Sequence, residues 1–226
     1  MTSAATADPQ AASNFPQMLR AAALAYGDAQ AVTLQGEGPA EIVSFAGIER
    51  QSAELARGFL ARGVGKGSRI GFIYGNGPGF AVVLAAIARI GAVAIPISTM
   101  IKANELVRVL RQSDVAGLIV QRRFLGSDYA ERLCDALPEL REGPALRSKR
   151  VPFLRWVVSA GEGLPAGIRD MSFLCGVAET VSEALLLEIE AEVHPADQMV
   201  EIYTSGSMAL PKGVKHLHGA VMQRSR

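Results

Sequence analysis

Cysteine, histidine and net charge are all scarce in this sequence of 226 residues, and each scarcity excludes a class of protein. The two cysteines, Cys134 and Cys175, form no CxxC pair, so no disulfide framework is predicted, and both are expected to be buried thiols in a reducing compartment. Three histidines provide no Ser/His/Asp or Cys/His set for nucleophilic catalysis. A formal net charge of +1 supplies no basic field, so no nucleic-acid partner is predicted.

Apolar side chains are abundant, at 49% of the residues against 20% charged, which is the composition of a globular protein with a sizeable core. The start of the sequence lacks the basic and apolar segments of a signal peptide. Residues 70–88 carry no charge, but the glycines and Pro78 within them would break a membrane-spanning helix. We therefore expect a cytoplasmic protein with no transmembrane segment, and no oligomeric state is predicted.

Strand and helix patterns alternate along the chain. Apolar spacing predicts helices at 15–26, 45–62 (capped by Ser44), 78–90, 104–112, 127–137 and 181–191. Strands are predicted at 31–34 and 41–44 as a hairpin, and at 69–74, 92–97, 115–120 and 153–159 as continuously apolar runs. Such runs, joined by helices, are typical of a parallel sheet that is covered on both sides. The predicted fold is α/β, with mostly parallel strands and helices on both faces.

Three segments outside this pattern carry their own predictions. Residues 1–14 show no periodicity and are expected to be a mobile leader, with one folded unit at 15–226. Residues 138–152 are rich in charge, glycine and proline, which predicts a loop and a possible subdomain edge. The carboxylates of Glu188, Glu190 and Glu192, near the end of a predicted helix, are expected to face solvent.

The main candidate site lies near the end of the sequence. A β-type run at 199–203 leads into a segment rich in hydroxyl groups and glycine, and Pro211, Lys212 and Gly213 predict a second turn. Such a loop can direct several backbone N–H groups and hydroxyls at one point, and a lysine adds positive charge, as a polyphosphate requires. A solvated Ser/Gly hairpin whose lysine faces water fits the same residues, so both interpretations stay open at this point.

Spacing argues against three other kinds of site. The turn Gly75-Asn-Gly-Pro-Gly79 departs from the dinucleotide fingerprint, because Phe80 stands where the third glycine belongs. The loop near the end is not a Walker A motif, since Pro211 precedes its lysine and a glycine follows. His216 and His218 lack a third ligand at metal-binding spacing, so no metal site formed by the protein alone is predicted.

Residues 203–214 resemble the phosphate loop of the AMP-forming, adenylate-producing enzymes, a superfamily of acyl-CoA synthetases, peptide-synthetase adenylation domains and luciferases. Upstream segments resemble the same family in the same order. Residues 45–67 are similar to its early helix, residues 76–96 to its N-x-P-x-F and R-x-G-A-V-x-x-P segment, and residues 105–120 to its E-L and S-x-A-x-x-L-I segment. The resemblance extends over about residues 15–218 and includes Asp197 before the loop.

The resemblance implies an ATP-dependent carboxylic acid–CoA ligase. A carboxylic acid, with a preference for fatty or other apolar acids, would attack the α-phosphorus of ATP, and coenzyme A would then accept the acyl group from the adenylate. Mg2+ is implied as the metal cofactor that accompanies ATP. Five residues are implied in contacts to the β- and γ-phosphates: Thr204, Ser205, Gly206, Ser207 and Lys212. Gly213 would allow close backbone packing, and no catalytic residue is assigned.

The sequence departs from the family in two respects. Met208 and Ala209 stand where the family usually has a hydroxyl residue and a glycine. The sequence also stops before the family's later adenine, ribose and magnesium motifs and its small C-terminal domain with the catalytic lysine. We therefore expect an incomplete N-terminal domain that is inactive by itself. The alternative is a non-catalytic, degenerate nucleotide-binding or interaction module that keeps the same fold.

Restoring the usual loop residues should strengthen ATP binding. Methionine offers no hydrogen-bond donor, and alanine costs about 1 kcal/mol where φ is positive. Together with about 1 kcal/mol for one regained hydrogen bond, the double substitution Met208→Thr and Ala209→Gly is expected to raise ATP affinity roughly 10- to 30-fold. Calorimetric titration with ATP measures this gain, and an unchanged affinity would contradict the expectation.

Overall fold

Strands and helices alternate along the chain, as the apolar pattern predicts. The computed structural model describes residues 8–36, 38–143, 146–204 and 212–224. The strands are β1 (Gln30–Leu34), β2 (Glu41–Ser44), β3 (Arg69–Ile73), β4 (Val93–Pro96), β5 (Gly117–Val120), β6 (Arg123–Phe124), β7 (Ser127–Asp128), β8 (Trp156–Ser159), β9 (Ile168–Asp170), β10 (Gln198–Thr204) and β11 (Lys212–Leu217). The α-helices are α1 (Phe15–Tyr26), α2 (Phe45–Ala61), α3 (Pro78–Arg89), α4 (Ala103–Gln112), α5 (Tyr129–Ala136), α6 (Ser172–Cys175), α7 (Glu183–Ala191) and α8 (His218–Arg224).

Seven of the described strands form one sheet, in the order β11-β10-β4-β3-β5-β8-β9. Neighbouring strands are parallel, except that β10 and β11 pair antiparallel. The chain places β4 on one side of β3 and β5 on the other, so the direction of strand addition changes at β3. The predicted α/β fold with a mostly parallel sheet is confirmed.

Helices cover both faces of this sheet because its central strands are apolar on both sides. On one face, α4 and α5 pack with side chains such as Leu110 and Leu133 onto β3, β4, β5 and β8. On the other face, α2, α3, α6 and α7 contribute side chains such as Phe59 and Ile87 to a second cluster. Consecutive helices α3 and α4 lie on opposite faces because β4 and β5 were added on opposite sides of β3.

Local signals in the sequence account for several element boundaries. The predicted cap at Ser44 is confirmed, since its hydroxyl accepts a hydrogen bond from the Gly47 amide at 3.0 Å. Asn14, the last residue of the segment predicted as a leader, caps α1 and is itself buried. The predicted helix at 127–137 begins later, because a short β6–β7 hairpin precedes it and Asp128 caps α5.

The sequence did not predict the details of two segments, residues 138–152 and 168–175. The strand β9 and the helix α6 have only three and four residues, too few to produce a periodic pattern. Within the predicted loop at 138–152, Leu140, Leu146 and Val151 are buried in the cluster beneath α4 and α5. This loop is therefore packed against the core at three apolar positions.

The uncharged stretch at 70–88 forms β3, a turn and α3, as predicted. Across the described ranges, none of the helices combines the length and apolar character that a membrane crossing requires. The two cysteines lie on opposite faces of the sheet and both are free thiols. Cys134 is buried as expected, whereas Cys175 is only half-buried, which corrects that expectation.

Candidate functional site

The predicted loop is carried by an antiparallel hairpin. β10 ends at Thr204 and β11 begins at Lys212, and these two residues are directly opposed in the pairing register. Ser205, Gly206 and Ser207 lie outside the described residues, so their contacts stay predictions. Within the described part, Thr204, Lys212 and Gly213 are brought together at the two ends of the loop.

The prediction of a second turn at Lys212 and Gly213 is wrong. Both residues belong to β11, where Lys212 opposes Thr204 and Gly213 opposes Tyr203. Glycine suggested a turn, but pairing with β10 keeps the backbone extended here. Consequently Lys212 is attached to a strand of the main sheet, which restricts where its exposed side chain can reach.

The hairpin opens at the carboxyl edge of the parallel sheet. β10 runs parallel to β4, with Val200 opposite Ala94, so Thr204 lies at the edge where the parallel strands end. Ligands of open α/β sheets bind outside this edge, near the point where the order of strand addition changes. Thr204 and Lys212, which flank the predicted loop, therefore lie at the edge where this architecture places its binding sites.

The buried carboxylate of Glu201 connects the β10–β11 hairpin to the interior of the sheet. Glu201 is 4% exposed and forms an ion pair with Arg69 of β3. It also accepts hydrogen bonds from Gln198 Nε2 at 3.1 Å and from the Tyr203 hydroxyl at 2.9 Å. Burial raises the pKa of Glu201, but these hydrogen bonds and the Arg69 charge outweigh it and hold the pKa below its ordinary value. The group is therefore ionised at neutral pH.

Gly213 packs directly against this carboxylate. A β-carbon at position 213 would overlap Oε1 of Glu201 and would lie 3.0 Å from its Cδ. Any side chain at position 213 would therefore require the Glu201 carboxylate to move. The close backbone packing implied for Gly213 by the resemblance stays a prediction; the neighbour that the structure places here is the Glu201 side chain. A charged residue inside the otherwise apolar run at 199–203 was the available signal for Glu201.

The opposite end of the hairpin is joined to α1 and α8. Asp197, just before β10, pairs with Lys66 at 2.7 Å and accepts a hydrogen bond from the His194 amide at 2.7 Å. His218, the first residue of α8, is fully buried, and its Nδ1 accepts a hydrogen bond from the Phe15 amide at 3.3 Å. Burial lowers the pKa of His218 to about 4; nearby Asp197 opposes this shift and Lys66 adds to it.

Sequence reasoning missed a network of ion pairs between the helices α1, α2, α3 and α7. Arg89 at the end of α3 is fully buried and donates to Glu190 Oε1 at 2.6 Å and to Ser52 Oγ and Glu49 Oε1 at 2.8 Å. Arg20 of α1 donates to the second oxygen of Glu190 at 2.6 Å. The network joins α1, α2, α3 and α7 and leaves the buried guanidinium with partners on several sides.

The expectation that Glu190 faces solvent is therefore wrong, because this residue is 5% exposed. Glu188 and Glu192 are exposed as expected. The signal that could have separated them is helical spacing, since Glu190 lies four residues after buried Leu186 and so shares its face of α7. Arg89, at the end of a helix apolar nearly all round, was the corresponding signal for its partner.

Comparison with known proteins relates most of the chain to one group of enzymes. A family model described as AMP-binding enzyme matches residues 19–226. The Bacillus subtilis protein YngI is 31% identical over 187 residues, which make up 80% of this chain and 34% of that protein. The mitochondrial medium-chain acyl-CoA ligase ACSF2 of Rattus norvegicus is 26% identical over 185 residues, which make up 81% of this chain and 30% of that protein.

The fold relationship agrees with the sequence relationship. The acetoacetyl-CoA synthetase from Streptomyces lividans superposes with a TM-score of 0.71 at 26% identity, over 92% of this chain and 31% of that chain. This chain therefore spans about a third of the length of the relatives that it matches.

Proposed function

We propose that this chain, which belongs to the family of AMP-binding enzymes, binds the triphosphate of ATP at the mouth of the β10–β11 hairpin. One observation carries the proposal: Thr204 and Lys212 face each other across the hairpin at the carboxyl edge of the sheet. The proposed phosphate contacts are those implied by the family resemblance, namely Thr204, Ser205, Gly206, Ser207 and Lys212. Gly213 supports them through backbone packing.

The proposed reaction of the whole protein is that of an ATP-dependent carboxylic acid–CoA ligase. A carboxylate oxygen bonds to the α-phosphorus of ATP, the bond to pyrophosphate breaks, and an acyl-adenylate forms. The sulfur of coenzyme A then bonds to the acyl carbon, and AMP leaves. Negative charge grows on the departing pyrophosphate in the first step, so the ammonium of Lys212 and oriented N–H groups would stabilise the transition state.

Mg2+ is proposed to enter with ATP. Among the described residues, no group of three or more His, Cys, Asp or Glu side chains is placed to hold a metal. Mg2+ usually keeps several waters and binds through the phosphates of its nucleotide together with one or two carboxylates. The residues near the hairpin would then contact the phosphates, and the ion would reduce their charge.

The proposed acid has an apolar chain. The proposed folded unit spans residues 15–226, and a subdomain edge at 138–152 stays a prediction. Support for the acid comes from the family resemblance and from the relative named as a medium-chain acyl-CoA ligase. The packed apolar side chains of 138–152 support a unit that includes this segment.

Removing the ammonium at position 212 tests the phosphate site. Lys212→Met is expected to weaken binding of ATP and of tripolyphosphate about 10- to 100-fold, because a hydrogen bond to a charged group contributes about 1.5–3 kcal/mol. Lys215→Met is the matched control, since this exposed lysine lies on the same strand, three residues further from the loop. Calorimetric titration should leave the control within about 3-fold of the unmodified chain. Equal losses in both variants would contradict the proposed site.

A non-catalytic nucleotide-binding or interaction module is the second candidate, favoured by Met208 and Ala209 in the loop. Exchange of labelled pyrophosphate into ATP, measured over a panel of carboxylic acids, distinguishes the two. Acid-dependent exchange supports the ligase. ATP binding without exchange, both in this chain and in one extended to the length of its relatives, supports the module.

A further inference from the structure

We propose that Glu201 is a positioning residue, whose carboxylate sits in the notch left by Gly213 and thereby sets the place of Lys212 on the hairpin. The effect on ATP rests on the proposed function, whereas the effect on strand pairing does not. Four observations carry the inference: the facing of side chains in the hairpin, the anchoring of Glu201, the shape of the notch and the composition of β11.

The facing of side chains brings Glu201 and Gly213 together. Residues two apart in a strand share one face, so Glu201 and Tyr203 lie on the same side of β10. Across the hairpin, Lys215 opposes Glu201 and Gly213 opposes Tyr203. The Glu201 side chain leans from its own position toward that of Gly213, where the Tyr203 hydroxyl meets it at 2.9 Å.

Glu201 is anchored to the sheet interior as well as to its own strand. Its ion-pair partner Arg69 belongs to β3, and β4 lies between β3 and β10. The Nε of Arg69 also donates to the carbonyl of Ser113, which follows α4. Gln198 adds a further donor at 3.1 Å. The carboxylate is therefore a fixed point, relative to which a neighbouring strand can be positioned.

The notch accepts one residue of β11 only. Gly213 is the single residue of this strand without a β-carbon. If β11 slipped along β10 by one or two residues, a residue that carries a side chain would meet the carboxylate. Pairing register is strongly specified where a slip creates such a conflict. Seating Gly213 against Glu201 therefore selects the register in which Lys212 opposes Thr204.

Adding a methyl group at position 213 and shortening the side chain at position 201 tests this positioning. Gly213→Ala should displace the carboxylate, and we expect at least about 10-fold weaker ATP binding and about 10-fold faster amide hydrogen exchange at Ile202 and Val214. Combining it with Glu201→Ser removes the overlap and should slow amide exchange by at least about 3-fold relative to Gly213→Ala alone, whereas ATP affinity should stay low because the positioning carboxylate is absent. Glu201→Gln keeps the shape of the side chain and should preserve the pairing. Gly65→Ala is the control, because a β-carbon there meets nothing within 4 Å.

A double-mutant cycle separates positioning of Lys212 from a general loss of stability. In a Lys212→Met background, Gly213→Ala should change ATP affinity by less than about 2-fold, because the Lys212 ammonium whose position it would disturb is already absent. A full additional loss in that background would overturn the assignment to Lys212. A double variant Glu201→Ser/Gly213→Ala whose amide exchange is as fast as that of Gly213→Ala alone would overturn the notch itself, as would an unimpaired Gly213→Ala.

The amide-exchange measurement keeps the test independent of the nucleotide. If even the unmodified chain fails to bind ATP, the proposed function is wrong, and the exchange rates still decide whether Glu201 sets the pairing. If Gly213→Ala does not fold alone, folding of its combination with Glu201→Ser counts as the rescue. The inference would be overturned if neither Gly213→Ala nor the double variant Glu201→Ser/Gly213→Ala folds, while Glu201→Ser alone folds.

Discussion

Replacing Arg89 by methionine is expected to lower the free energy of unfolding by about 3–5 kcal/mol, because the buried Glu190 Oε1 and Ser52 Oγ lose their charged donor. The guanidinium is fully buried and pairs with Glu190 at 2.6 Å and with Glu49 at 2.8 Å. Methionine fills similar space but offers no donor. Glu190 would keep only Arg20, whose side chain is 36% exposed.

Urea denaturation measures this loss directly, provided that unfolding is two-state. Arg108→Met, at an exposed position of α4, is the matched control and should change stability by no more than about 0.5 kcal/mol. Adding Glu190→Leu to Arg89→Met removes the stranded carboxylate and should recover part of the stability. A loss below about 1 kcal/mol for Arg89→Met would show that the network contributes little.

Acidification between pH 6.5 and pH 4 is expected to destabilise the fold through His218, by up to about 3 kcal/mol. Its pKa is lowered from 6.5 to about 4 in the folded chain, so the unfolded chain binds the extra proton over this window. The contribution of His218 is therefore fully present above pH 6.5, falls as the pH decreases and is lost near pH 4. A proton on Nδ1 would also break the hydrogen bond from Phe15 at the start of α1.

Stability curves at several pH values test this prediction. His218→Asn cannot titrate in this window, so its stability should fall less steeply with acid than that of the unmodified chain. Asp197 contributes to the acid dependence of all these chains, because its pKa lies below its ordinary value: burial raises this pKa, but Lys66 and the His194 amide lower it further. The difference in slope between the unmodified chain and His218→Asn therefore reports His218. His216→Asn, on the adjacent strand, is the control that should keep the original slope. Identical slopes in both variants would contradict the role of His218.

Much of the fold could be predicted because it depends on local patterns. The apolar runs at β3, β4 and β5 require cover on both faces, and the helices between them supply it. Ser44 could be identified as a cap because its hydroxyl acts on an amide three residues away. The short elements β9 and α6 could not be predicted, since so few residues carry no period.

The candidate site divides in the same way. The hydroxyl- and glycine-rich segment before Lys212 could be located from sequence alone, because its residue types and their order carry the family resemblance. The buried ion pairs around it could not be predicted, because each joins two residues that are distant in the chain. Glu201 is paired with Arg69, 132 residues away, and Glu190 with Arg89, 101 residues away.

The sequence by itself determined the α/β class, the order of most helices and strands, the family and the position of the predicted phosphate loop. Only the tertiary structure decided that Glu190 is buried, that Lys212 and Gly213 belong to a strand, and that the Glu201 carboxylate occupies the space of a β-carbon at position 213. The reason is that periodicity and capping act over a few residues. Burial of a charge and the space for a β-carbon depend on which distant strand or helix lies opposite.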